Sequence, residues 1–158
     1  MLAATTTSVA TNATNKGDVL ATARVAGIQA AKQTSSLIPL CHPIRIDRVT
    51  VDVVVDVHKI EISAVTEIVE RTGVEMEALT ACAVAALTVV KALFHADPEA
   101  SIEELTLWHK SGGRSGDWER SGPGARLIRS LAPTKGTTDK SDGSGQVGDT
   151  EMSDGQDR

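Results

Sequence analysis

The chain has 158 residues, a formal net charge of −5 and 41% hydrophobic residues, which is the balance of one soluble globular domain. No segment has the roughly 20 uninterrupted apolar residues that a bilayer-spanning helix needs, so we expect no membrane partner. The acidic balance argues against nonspecific nucleic-acid binding, and two cysteines outside any CxxC motif do not make a disulfide framework.

The two ends of the chain differ in composition from its middle. Residues 1–15 contain five threonines and no charged residue, which predicts a flexible leader. This leader has none of the features of a secretory signal, so we expect a cytoplasmic protein. Residues 134–158 contain six acidic residues, five glycines and two large apolar side chains, which predicts a disordered acidic tail. The folded domain is therefore predicted over residues 16–133.

The middle of the chain predicts a helix, two strands, a second helix and a final strand. The first helix spans about residues 18–34, because an aspartate is suited to cap its N-terminus. Alternating valines over residues 46–57 and isoleucines over 60–64 predict a β-hairpin. A long apolar helix over about 75–95 and a strand near 102–109 follow. This order favours an α+β fold with an antiparallel sheet and helices packed on one face.

Two polar segments precede the hairpin. Lys16 lies beside the free backbone N–H groups that open the first helix, where it either holds an anion or belongs to a solvated cap. Cys41 and His42 lie in a proline-flanked loop, where the histidine either carries a proton or has only a structural role. The four histidines show no metal-ligand spacing, so we expect neither a metal nor a cofactor.

Two further polar segments follow the hairpin. Glu75, Met76 and Glu77 open the long helix, where the carboxylates either complement the helix dipole or accept hydrogen bonds from a nitrogen heterocycle. Residues 110–117 combine three glycines and two serines with a lysine and an arginine. Such a segment is either a flexible turn or a phosphate-binding nest of backbone N–H groups.

Together, the four segments resemble the signature sequences of one family, cyclic pyranopterin monophosphate synthase, also called molybdenum cofactor biosynthesis protein C. The resemblance implies a ferredoxin-like fold, assembled as a hexamer of dimeric units with active sites at subunit interfaces. It also implies conversion of (8S)-3′,8-cyclo-7,8-dihydroguanosine 5′-triphosphate to cyclic pyranopterin monophosphate with release of diphosphate, the substrate coming from a radical S-adenosylmethionine enzyme. The segments that carry the resemblance are KGDVLATAR from Lys16, LIPLCHP from Leu37, TGVEMEALT from Thr72 and KSGGRSGDW from Lys110.

The resemblance further implies roles for individual residues. Lys16, His42 and Lys110 would contact the triphosphate or transfer protons, and these three form the expected catalytic set together with the position of Lys91. The residues expected to bind the substrate are Leu40, Cys41, His42, Glu75, Met76, Glu77 and Arg114.

Three features depart from the family pattern. The family carries an acid on the long helix and a lysine three residues later, whereas the aligned positions here are Lys91 and Phe94. Arg114 replaces a common lysine, and the fifteen residues before Lys16 are fewer than is usual. Two hypotheses follow: an active synthase, or a catalytically impaired family member that binds substrate or pairs with another subunit.

Overall fold

A computed structural model describes residues 1–70 and 72–121, so the domain end expected at 133 and the acidic tail expected over 134–158 lie outside the described residues. Helices and antiparallel strands both occur, which confirms the α+β class. The elements in chain order are α1 (Ala3–Ala10), α2 (Val19–Ala31), α3 (Thr34–Leu37), β1 (Arg48–Val55), β2 (Ile60–Glu67), α4 (Glu75–Leu93), β3 (His109–Lys110) and β4 (Trp118–Glu119).

The predicted hairpin forms as an antiparallel pair of β1 and β2, with Val51 opposite Ala64 and Val53 opposite Ile62. Val51 and Val53 are buried, whereas the next residue, Val54, is 48% exposed. This alternation directs one face of the hairpin toward α2 and α4. Within the described part of the chain this sheet has two strands, and the ferredoxin-like arrangement stays a prediction.

The prediction of a strand near 102–109 is wrong. Residues 101–108 have no regular secondary structure. Glu104 adopts a left-handed backbone conformation with φ of 53°, which interrupts an extended strand. Instead, β3 and β4 form a second short hairpin in which Lys110 pairs with Trp118, and this hairpin closes the glycine-rich segment between them.

The core lies where α2 packs closely against α4. A Cβ atom placed on Gly27 would lie 2.9 Å from the carbonyl oxygen of Ala81 and 3.3 Å from the Cβ of Ala85. Ala23, Ala81 and Ala85 are fully buried around this contact. With one phenylalanine and no tyrosine in the chain, small side chains and short interhelical distances replace large rings as the source of packing.

Among the described residues, α4 is the one helix long and apolar enough, by length and composition, to cross a bilayer. It packs against α2 and against both strands of the hairpin. Glu75 and Glu77 lie in its first turn and Lys91 in its last, where each charge complements the helix dipole. Within the described residues, α4 thus packs on a helix and on both strands of the hairpin.

The N-terminal segment forms helix α1 and differs from the flexible leader expected there. Thr6 and Val9 are buried, and the Thr6 hydroxyl donates a hydrogen bond of 2.7 Å to the carbonyl oxygen of Val57. The Leu2 N–H donates a hydrogen bond of 2.7 Å to the buried carboxylate of Asp97. Threonine has a low helix propensity, so composition misses this helix, which tertiary contacts stabilise.

Candidate active site

The predicted site residues fall into two clusters and one exposed loop. The first cluster, here called the lysine cleft, is an open cavity of 250 Å³ between α2 and α4. The second joins the start of α4 to the glycine-rich loop, residues 110–117. The residues that line the lysine cleft are Lys16, Val19, Thr22, Thr88, Lys91 and Ala92.

The turn before α2 fixes the position of Lys16. Gly17 has a φ of 73°, a left-handed conformation that residues with a Cβ rarely adopt, and its carbonyl oxygen accepts a 2.7 Å hydrogen bond from the Thr14 hydroxyl. Asp18 caps the helix by accepting a 2.8 Å hydrogen bond from the Ala21 N–H. Lys16 therefore lies beside the positive end of the α2 dipole.

Two cations converge on the lysine cleft without a carboxylate between them. Lys16 and Lys91 make no ion pair within the part of the chain that the structure describes. The hydroxyls of Thr22 and Thr88 each donate to a carbonyl oxygen one turn earlier in their own helix, both at 2.7 Å. The lysines are thus the charged donors of a cleft that favours an anion.

Glu75 and Lys110 anchor the glycine-rich loop to the start of α4. The Lys110 Nζ lies 3.3 Å from the Glu75 Oε1, with side chains 20% and 30% exposed respectively, and it also hydrogen-bonds the Ser115 hydroxyl. Within the loop, the Gly112 N–H donates to the Asp117 carboxylate at 2.8 Å. The Gly112 N–H therefore already has an acceptor within the loop, and the phosphate-binding nest stays a prediction.

The first turns of α4 contain the remaining candidate residues, Met76 and Glu77. Met76 is 39% exposed, whereas Glu77 is buried at 5% exposure. One turn further, the Thr80 hydroxyl is the buried side-chain oxygen that lacks a hydrogen-bond partner among residues 1–70 and 72–121. Sequence reasoning missed Thr80 because a single threonine in an apolar helix carries no distinguishing signal.

Sequence reasoning also missed the two threonines of the lysine cleft. Thr88 lies three residues before Lys91 and so shares its helix face, which is a signal that helical spacing could have given. Thr22 belongs to another helix, and only the packing of α2 on α4 brings it to the same cleft.

The loop that contains Leu40, Cys41 and His42 does not line the lysine cleft. Leu40 is fully exposed with φ of 70°, Cys41 is half-buried and His42 is exposed. Among the described residues, the side chains of His42 and Arg114 make no hydrogen bond or ion pair. None of these four residues lines the lysine cleft, and Arg114 belongs to the glycine-rich loop of the second cluster.

The two clusters are also far apart in one chain. Glu75 begins α4 and Lys91 lies near its end, so about 24 Å of helix separates their Cα atoms at about 1.5 Å per residue. A pocket of about 1,000 Å³, large for a small-molecule site, is only about 10 Å across. A single ligand of that size therefore does not contact both clusters of one chain.

The two substituted positions of α4 and its C-cap, Lys91 and Phe94, lie in different surroundings. Lys91 lines the lysine cleft, whereas Phe94 is 53% exposed and absent from its lining. The Phe94 ring packs edge-on against the His95 ring, with centroids 6.0 Å apart and planes at 75°. Lys91 alone therefore alters the charge of the lysine cleft directly.

The described residues can be compared with the requirements of a metal site and of a thiol nucleophile at Cys82. No group of three or more His, Cys, Asp or Glu side chains lies close enough together there to hold a metal ion. Burial raises the pKa of the Cys82 thiol to about 11, against a smaller opposing effect of a backbone hydrogen bond from Ala64. Cys82 is therefore protonated at neutral pH and is a poor nucleophile.

Comparison with known proteins identifies relatives for most of the chain. The sequence profile of the MoaC family matches residues 1–113. Cyclic pyranopterin monophosphate synthase 2 of Mycobacterium tuberculosis is 54% identical over 112 residues, which are 71% of this chain and 67% of that protein. The cyclic pyranopterin monophosphate synthase of Thermomicrobium roseum is 56% identical, over 72% of this chain and 70% of that protein. The cyclic pyranopterin monophosphate synthase of Streptomyces coelicolor is 54% identical, over 67% of this chain and 62% of that protein. The profile match starts at residue 1, so it includes α1.

Proposed function

The chain belongs to the MoaC family, and from this premise we propose that it is a cyclic pyranopterin monophosphate synthase of molybdenum cofactor biosynthesis. Its substrate is then (8S)-3′,8-cyclo-7,8-dihydroguanosine 5′-triphosphate, and its products are cyclic pyranopterin monophosphate and diphosphate. The observation that carries the proposal is identity above one half to synthases of that name. The family profile matches residues 1–113, which include Lys16, Glu75, Lys91 and Lys110. The enzyme is proposed to act in the cytoplasm, on substrate supplied by a radical S-adenosylmethionine enzyme.

The two clusters supply complementary chemistry for this substrate. Lys16 and Lys110 are cations suited to a triphosphate, and Lys110 begins the glycine-rich loop that also contains Arg114. Glu75 and Glu77 supply carboxylates that accept hydrogen bonds from the N–H groups of the pterin-forming ring. His42 is proposed to transfer a proton from its exposed loop once a neighbouring surface covers it.

The active site is proposed to lie between two subunits of a homo-oligomer, with a hexamer of dimeric units as the proposed assembly. The distance of about 24 Å between the clusters of one chain supports this arrangement, because a second copy can bring its Glu75 and Lys110 to the lysine cleft of the first.

Mixing of two inactive variants tests the shared site. Lys16→Ala and Lys110→Ala proteins are each expected to lose activity, and subunit exchange between them should restore part of it by assembling some sites from intact halves. As a control, a Lys16→Ala/Lys110→Ala double variant mixed with Lys16→Ala should stay inactive. Mixtures that exchange subunits but stay inactive would assign each site to one chain.

A second candidate function is that of a substrate-binding or hetero-oligomer subunit without turnover. Lys91 favours it, because a cation occupies the position of the family's acid, and so does Phe94, whose ring has no transferable proton. Incubation of the purified chain with the substrate, followed by measurement of diphosphate and pterin product, separates the two functions. Product formation supports the synthase, whereas binding without product supports the second candidate.

A further inference from the structure

The lysine cleft holds a charge arrangement that its own chain leaves uncompensated. Lys16 precedes α2 and Lys91 lies in α4. Both line the same 250 Å³ cavity, and neither makes an ion pair among the described residues. Two cations that share a cavity repel each other. A bound anion attracts both of them and so offsets that repulsion. The carboxylate of Asp18, which caps α2, accepts a hydrogen bond from the Ala21 N–H, and Asp18 is absent from the lining.

The size of the lysine cleft limits what it can hold. Its volume lies below the roughly 300–1,000 Å³ of sites that take a whole drug-sized ligand. Val19 and Ala92 supply its apolar part, and neither offers a contact for a polar ring edge. The fitting occupant is therefore a small, strongly charged group such as a phosphate or diphosphate.

We propose that the lysine cleft is a diphosphate-binding subsite in which Lys91 supplies a second cation opposite Lys16. The assignment of its occupant to the substrate's triphosphate or to the released diphosphate rests on the proposed function, whereas anion binding itself does not. At position 91, a lysine that contacts the phosphate chain thus replaces the acid of the family pattern.

Titration calorimetry of the full chain with inorganic pyrophosphate at low salt tests this assignment. Lys91→Gln should weaken binding about fivefold or more, since an exposed ammonium–phosphate contact contributes modestly. Lys91→Arg should retain binding, and added salt should weaken it by screening. Lys32→Gln is the matched control, because Lys32 is an exposed lysine at the opposite end of α2 and outside the cleft.

Equal affinity of the Lys91→Gln and unmodified proteins would overturn the assignment, and so would equal weakening by Lys32→Gln. A second titration with GTP identifies the source of the anion. If Lys91→Gln weakens both ligands, the cleft holds the triphosphate chain, and if it weakens pyrophosphate alone, the cleft retains the released product. Failure of the proposed function would give a different result from failure of this assignment. The activity assay would then detect no product, whereas pyrophosphate binding would still depend on Lys91.

Discussion

Replacement of Gly27 by alanine tests the helix contact that positions both lysines of the cleft. The new Cβ would meet the Ala81 carbonyl oxygen at 2.9 Å, the Val51 Cγ2 at 3.2 Å and the Ala85 Cβ at 3.3 Å. The nearest of these atoms belongs to the backbone of α4, so relief requires movement of the whole helix. Because Lys16 and Lys91 are attached to the two helices, such a movement also widens the lysine cleft.

Two opposing effects determine the size of the change. Alanine gains about 1 kcal/mol over glycine in helix propensity. Overpacking costs about 1–3 kcal/mol, and a backbone contact at 2.9 Å places this site near the upper end of that range. We therefore expect Gly27→Ala to lower the free energy of unfolding by about 1–2 kcal/mol, although the same change stabilises an exposed helix.

Urea unfolding at one fixed protein concentration measures this difference. The matched control compares Gln29→Gly with Gln29→Ala at an exposed position of α2, where alanine should be more stable by about 1 kcal/mol. A Gly27→Ala protein stabilised by the same amount as that control would show that α2 and α4 are not in close contact, and would refute the reasoning.

Three further predictions concern binding, pH and assembly. Lys110→Ala should weaken binding of a nucleoside triphosphate analogue about tenfold, and unchanged affinity would contradict this. Since the Cys82 pKa is raised from 9.0 to about 11, stability should fall as pH rises from about 9 to 11, by up to about 1.4 kcal/mol per pH unit. Cys82→Ala should remove this dependence of the unfolding free energy on pH, and an unchanged dependence would mean that another group causes it. Light scattering should give an oligomer, and a monomer at micromolar concentrations would contradict the shared site.

Local patterns predicted much of the fold. The alternating valines of β1, the Asp18 cap of α2 and the length of α4 are properties of neighbouring residues, and the structure confirms each of them. Helix α1 was missed because the contacts that stabilise it reach Val57 and Asp97, far along the chain. The prediction of a third strand was wrong although leucines alternate there. Leu105 is 51% exposed, and the left-handed conformation of Glu104 interrupts an extended backbone.

The candidate site was predicted residue by residue but not as an arrangement. Lys16 and Lys91 share a cleft because α2 packs on α4, which no local pattern encodes. The ion pair of Glu75 with Lys110 likewise depends on the return of the chain after α4. His42 was identified by its motif, and its place relative to the other site residues needs a second subunit in the proposed assembly.

The most direct test measures product formation from (8S)-3′,8-cyclo-7,8-dihydroguanosine 5′-triphosphate by the unmodified chain and by a Lys91→Asp/Phe94→Lys double variant. Positions 91 and 94 share a helix face, and an acid–lysine pair there can transfer protons that Lys91 and Phe94 cannot. General acid–base help contributes about 10²–10⁴-fold, so we predict slow turnover by the unmodified chain and an increase of about that factor in the double variant. Equal rates would contradict the interpretation of these two positions, and absence of product from both proteins would contradict the synthase assignment itself.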